Sequence, residues 1–143
     1  MIKIPMKALS LNNAKTFSFK SKRFHKKKST YNYESEFSNY LTNQSEEIKK
    51  VALSYSNEKY FKLEAYFYMK EFYTKDKRIS ARSGDLDNCL KISIDLIFKF
   101  LKKFNDKIDD KQICSIVCDK IPSDNDCMVF HITSHSLSSL KLQ

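Results

Sequence analysis

Between residues 60 and 73 the chain alternates side-chain character almost without a break. Phe61, Leu63, Ala65, Phe67 and Met69 fall on one parity, and Lys62, Glu64, Tyr66, Tyr68 and Lys70 on the other. Successive side chains of an extended strand point to opposite faces, so this pattern predicts one long, half-buried antiparallel strand. Such a strand needs neighbours for its hydrogen bonds and a second layer over its apolar face. That layer is encoded downstream. Leu86, Leu90, Ile94, Ile97, Leu101 and Phe104 recur at spacings of three and four, and Leu96 and Phe100 widen the stripe. The spacing predicts an amphipathic helix lying against the sheet.

The remaining segments fit around this pair. Residues 34–53 read as another helix, with Phe37, Leu41, Gln44, Ile48 and Val51 near one face. A short strand is predicted over 2–7, and two β-branched strands over 112–121 and 126–133, joined by the turn Pro122-Ser123-Asp124-Asn125. Residues 75–84 form a basic connector holding Gly84, the only glycine in the chain. The order is β, long basic loop, α, β, α, β, β. It predicts an α/β (α+β) fold: one small domain over 1–133, with a mixed β-sheet packed against two helices. A flexible serine-rich tail is expected over 134–143. At 143 residues the chain can bury a core without disulfides or a structural metal.

Charge narrows the partners. The 26 Lys and Arg residues against 17 Asp and Glu give +9 and a pI near 9.3, which suits a polyanion and above all nucleic acid. A general lysine bias accounts for part of the excess but not for its clustering. Lys15, Lys20, Lys22, Arg23, Lys26, Lys27 and Lys28 follow one another with no acid between them, interleaved with Phe17, Phe19 and Phe24. Such a stretch repels itself, and a mobile basic loop is expected over 15–30. Two readings of its aromatics stand side by side: stacking on exposed bases, or anchoring a basic hairpin to the body. No apolar run approaches the roughly 20 residues of a membrane span. The N-terminus lacks the apolar stretch of a signal peptide, so a cytoplasmic protein is expected. Cys89, Cys114, Cys118 and Cys127 form no C-x-x-C pair, and are read as reduced, buried apolar side chains rather than zinc ligands.

Against this basic background an acidic group stands out: Asp85, Asp87, Asn88 and Lys91 at the start of the second helix, then Asp109, Asp110 and Gln112 before a strand. Asp87, Lys91 and Asp95 are four residues apart and line one edge of the helix. Carboxylates converging from two elements make an oxygen-rich site of the kind Mg²⁺ prefers. The alternative is structural. Asp85 or Asp87 can cap the helix, worth about 1 kcal/mol, and Asp109-Asp110 can be a polar turn.

The order of these residues resembles a known family. Asp85-Leu86-Asp87-Asn88-Cys89-Leu90-Lys91, then Asp95, then Asp109-Asp110-Lys111-Gln112-Ile113, is similar to the core of the RusA family of Holliday junction resolvases, D-L-D-N-x-x-K followed by D-D-x-Q-[IV]. Lys77, Arg78 and Arg82 resemble the family's basic lead into that motif, and Leu11-Asn12-Asn13 its N-terminal S-N-N turn. The likeness is close over 78–132. The segment from Lys91 to Asp109 is longer than the family's, and the prolines that precede its N-terminal turn are absent. The resemblance implies a bacterial or phage-encoded homodimer that resolves four-way DNA junctions by paired nicking with Mg²⁺, or Mn²⁺ in its place. It implies that Asp85, Asp87 and Asp110 hold the metal, which activates water and polarises the phosphate. Lys91 then acts as the catalytic cation. Asp110 is preferred to Asp109 because the family's ligand stands three residues before Ile113. Asn88, Asp95 and Asp109 are supporting residues, with Asp95 expected to orient Lys91. Lys20, Lys22, Arg23, Lys26, Lys27, Lys28, Lys77, Arg78 and Arg82 are expected to contact DNA phosphates without reading sequence. Competing readings are a nuclease for flaps or forks, a branched-DNA-binding protein without activity, and a small RNA-associated protein.

Overall fold

The computed structural model describes residues 1–140. Strand β1 (Ile2–Ile4), a hairpin of β2 (Lys15–Ser18) and β3 (Arg23–Lys26), helices α1 (Lys28–Thr42) and α2 (Ser45–Ser54), strand β4 (Lys59–Met69), helix α3 (Leu86–Lys102) and strands β5 (Ile113–Pro122) and β6 (Cys127–Ser136) follow in order. The four-stranded sheet has the order β1-β6-β4-β5. Strand β4 is antiparallel to β6 and parallel to β5, so the sheet is mixed as expected. The parallel pair requires a crossover, and α3 supplies it.

The alternation in β4 does what its parity predicts. Phe61, Leu63, Ala65, Phe67 and Met69 are all fully or nearly fully buried. Register places Leu63 beside Ile132, Ala65 beside Phe130 and Phe67 beside Met128, which makes one continuous apolar face. The helices cover that face with Phe37 and Leu41 from α1, Ile48 and Ala52 from α2, and Ile97, Phe98, Phe100 and Leu101 from α3.

Several expectations change in the folded chain. The helix predicted over 34–53 is two helices, α1 beginning earlier and α2 following a break at Asn43 and Gln44, so three helices rather than two cover the sheet. The break has a cause in Gln44. Its amide accepts from Lys3 N at 2.9 Å and donates to Lys3 O at 2.8 Å and Tyr40 O at 3.0 Å, tying the turn to β1. The basic stretch expected as a loop contains a β-hairpin, with Phe17 opposite Phe24 and Lys15 opposite Lys26. The aromatics do not anchor it to the body. Phe17 packs edge-on against Phe19 and Phe24 at 5.1 and 5.3 Å, leaving Phe19 87% exposed.

The last strand runs to Ser136 rather than 133, because Lys59 at the start of β4 pairs with Ser136. A short 3₁₀ turn follows over Leu137–Ser139, so the expected tail is partly ordered; its last residues, 141–143, lie outside the described residues. Only Cys89 is buried; Cys114 is exposed, and Cys118 and Cys127 are half-buried. Cys114 is the extra residue of a bulge, since Ile113 pairs with Phe61 and Ser115 with Lys62.

Candidate active site

The turn before α3 is built by hydroxyls and one glycine. Ser80 Oγ accepts from Arg82 N at 3.1 Å, and Ser83 Oγ donates to Ser80 O at 2.7 Å. Gly84 follows at φ 75, a conformation that side chains with a Cβ rarely adopt. A Cβ there would also lie 3.3 Å from Cys89 Sγ and 3.4 Å from Ser10 Cβ. From β5, Lys120 Nζ reaches across to donate to Ser83 Oγ at 2.9 Å and Gly84 O at 2.8 Å. Lys120 escaped the sequence reading, although its parity with Ile116 and Cys118 aims it at the helices rather than at solvent.

Asp85 stands at the N-cap position, and its side chain makes no capping hydrogen bond. Its one side-chain partner is Asn88 Nδ2, at 3.5 Å from Oδ2. The capping alternative therefore does not account for this carboxylate, whose oxygens remain available at the positive end of the helix dipole. Asp87 projects from the first turn, with Lys91 Nζ 4.0 Å from its Oδ2 and both side chains mostly exposed. Lys91 thus pairs with Asp87, not with Asp95 as expected.

The second acidic pair is set by another turn. Asp109 N donates to Gln112 Oε1 at 2.9 Å, and Gln112 Nε2 donates to Lys107 O at 2.8 Å, so the motif's glutamine shapes the approach to β5. The hydrogen bond that Asp110 shares with Asp109 raises its carboxyl above the usual carboxylate range, helped by burial and by the charges of Asp109 and Asp95. The same hydrogen bond lowers Asp109. Asp95, Asp109 and Asp110 line a shallow hollow of about 270 Å³ together with Lys99 and Lys102.

These two acidic groups do not meet within one chain. Asp110 lies by Asp95, two turns of α3 beyond Asp87, or about 12 Å along the axis at 1.5 Å per residue. Among the described residues of a single chain, no three His, Cys, Asp or Glu side chains come close enough to hold a metal ion. The site expected from Asp85, Asp87 and Asp110 is therefore incomplete in the isolated protomer.

Two basic residues, Lys7 and Arg82, border the turn that leads to Asp85. A cleft of about 370 Å³ lies between the N-terminal segment and the turn before α3, lined by Lys7, Ser10, Asn13, Tyr33, Arg82 and Gly84 among others. Asn13, from the predicted N-terminal turn, thus stands near the start of α3. Burial raises the Tyr33 hydroxyl above its ordinary value; the hydroxyl accepts from Leu9 N at 3.3 Å. Arg82 is partly engaged, 3.7 Å from Glu71, which Lys7 contacts at 2.8 Å. Lys26 is paired with Glu34 at 2.8 Å and Lys27 is half-buried, whereas Lys20, Lys22, Arg23 and Lys28 remain exposed on the hairpin and the start of α1. Lys77 and Arg78 cap a small turn closed by Thr74 N to Arg78 O at 2.8 Å. Lys22 and Lys77 are the two non-glycine residues with positive φ among the described residues, so a lysine occupies the strained position of each basic turn.

Comparison with known proteins identifies the family. The family model described as endodeoxyribonuclease RusA matches residues 5–132. No curated protein matches the chain. The family match runs from the N-terminal segment through β6 and includes every acidic residue discussed above, and on it the chain belongs to the RusA family of endodeoxyribonucleases.

Proposed function

We propose that the protein is a homodimeric, Mg²⁺-dependent endonuclease that nicks four-way DNA junctions in pairs, with Mn²⁺ an acceptable substitute. The observation that carries this reading is Asp85: it occupies a cap position without capping, beside Asp87 and Lys91, in a family of endodeoxyribonucleases. A carboxylate that caps no backbone N–H and forms no ion pair at the positive end of a helix, on a chain of net charge +9, is suited to a cation that faces phosphate.

The metal set does not close within one protomer, so a second copy supplies Asp110 to the Asp85 and Asp87 of the first. Two-fold symmetry then yields two equivalent sites, which is what symmetric nicking of two strands requires. In each site Lys91, held beside Asp87, offsets charge at the reacting phosphate. The exposed lysines of the hairpin and of the 74–78 turn grip the backbone without reading bases. A protein of this kind works in the cytoplasm of a bacterium or of a phage-infected cell.

Subunit mixing tests the reading. Asp85→Asn and Asp110→Asn are each expected to abolish Mg²⁺-dependent nicking of a synthetic four-way junction while leaving junction binding intact. Co-refolding the two variants regenerates one complete site per mixed dimer, and nicking returns to one strand of each junction. Continued inactivity of the mixture would sink the shared site. Equal cleavage of flap, fork and junction substrates by the unmodified protein would replace junction resolution with a broader branched-DNA nuclease.

A further inference from the structure

We propose that the tip of the β2–β3 hairpin is a stacking arm for DNA, on which the ring of Phe19 covers a base face left open at a branch point. This deepens the proposed action on branched DNA, on which it rests for its substrate, by naming the group that senses the branch.

The hairpin presents its apolar groups instead of burying them. Ser18 pairs with Arg23, so Phe19, Lys20, Ser21 and Lys22 form the turn at its end. Ser18 Oγ accepts from Ser21 N at 3.4 Å, and the Ser21 hydroxyl hydrogen-bonds the His25 ring, which closes that turn. Phe17, Phe19 and Phe24 are all exposed, and none joins the core. Because Phe17 stands edge-on to the other two, the three rings make a small apolar ledge. The root, by contrast, is fixed. Thr30 Oγ1 donates to Ala14 O at 2.7 Å and Lys27 N to the same carbonyl at 3.1 Å, with Thr30 and Ala14 both buried. Lys26, paired with Glu34, also lies over the Tyr31 ring, 5.0 Å from its centroid. A fixed root and a pre-formed ledge lower the ordering cost of binding.

Charge and placement select the occupant. Residues 1–33 contain no acid, and Lys20, Lys22 and Arg23 stand at the turn with Phe19, so the ledge is rimmed by cations. A nucleic-acid strand sets a flat base beside each phosphate and matches both the rings and the rim. In a continuous duplex each base is stacked between neighbours and hides both faces. At a branch point the stack is interrupted, and a face is free without the cost of unstacking. The arm therefore favours branched over continuous DNA without reading sequence, since every base has a π-face. Rings set among lysines also suit an anionic bilayer. The root argues for DNA. The hairpin leaves the body at Ala14, directly after Asn13, which lines the cleft of Arg82 and Gly84 ahead of Asp85. An arm rooted beside that turn is placed to hold the polymer on which the candidate site acts.

The test measures binding by the full chain in EDTA, apart from nicking, on a synthetic four-way junction and on a continuous duplex with the same number of nucleotides. Phe19→Ala is expected to weaken junction binding about tenfold, as loss of one base–aromatic stack does, and to leave duplex binding nearly unchanged. The salt slope is expected to stay the same, because no phosphate contact is removed. Phe19→Trp is expected to bind the junction as the native chain does. Phe19→Leu, apolar but without a π-face, is expected to bind as weakly as Phe19→Ala. Circular dichroism of the three variants should match the native chain, since the ring is exposed. Native junction affinity in Phe19→Ala or Phe19→Leu, or a native chain that binds junction and duplex equally, would overturn the proposal. So would co-sedimentation with phosphatidylserine vesicles that Phe19→Ala abolishes while keeping its junction binding, which would assign the hairpin to a lipid surface. Phe19→Ala that both binds and nicks normally would remove the arm and leave the proposed activity. A junction held through Phe19 but never nicked with Mg²⁺ would refute the activity and leave the arm standing.

Discussion

At the scale of single residues, the turn that leads into the candidate site is braced by a lysine that carries no motif. Lys120 holds the carbonyl of Gly84 and the hydroxyl of Ser83, and so fixes the direction in which Asp85 leaves the turn. Lys120→Met removes both hydrogen bonds, at a cost of about 1–3 kcal/mol that urea unfolding will register. If the tether positions Asp85, nicking measured well below the melting temperature falls by about tenfold or more, the factor equivalent to 1.4 kcal/mol of lost positioning. Unchanged nicking would reduce Lys120 to a structural role. The thiols offer a second check at this scale. Burial pushes Cys118 up to about 11 and also raises Cys89, so both remain neutral thiols near pH 8, where only thiolates attack a disulfide reagent. Cys114, exposed on the β5 edge, is expected to react with such a reagent well ahead of these two. Comparable rates for Cys89 and Cys114 single-thiol variants would contradict the packing around Gly84.

At the scale of elements, the sequence was legible wherever periodicity was long and unbroken. Strand β4 and helix α3 each carry a repeat longer than ten residues, and both formed within a few residues of the expected bounds. The α1–α2 break was not legible. Gln44 falls on the apolar side of a continuous helical pattern, and its partners, the backbone groups of Lys3, lie 41 residues away. Gln44→Ala should therefore destabilise the chain by about 1–2 kcal/mol and speed hydrogen exchange at Lys3, which a helix-surface glutamine would not do. The basic hairpin was only half legible, one of two readings beside a mobile loop, since seven like charges argue against order. Its cohesion comes from the Phe17, Phe19 and Phe24 contacts and the Lys26–Glu34 pair, interactions that become visible only when the strands are set side by side.

At the scale of the whole molecule, charge and shape act together. The hairpin and the 74–78 turn carry exposed lysines and arginines, so DNA affinity should fall steeply with salt. Replacing Lys20, Lys22 and Arg23 by alanine is expected to flatten the log–log salt slope by about 0.9 for each phosphate contact removed, with equal effect on junctions of different sequence. A slope unchanged by the triple variant would remove the hairpin from the interface. The chain's own order of residues determined its fold class, its buried strand and helix, and the identity of its acidic and basic groups, because periodicity and composition are properties of neighbours along the polymer. Which acids stand together, which lysine braces them and which edge is left open were decided only by the tertiary structure. Those relations depend on distances across a crossover, and β5, which returns alongside α3, brings Lys120 to the start of that helix and leaves Asp110 two turns farther along it, by Asp95.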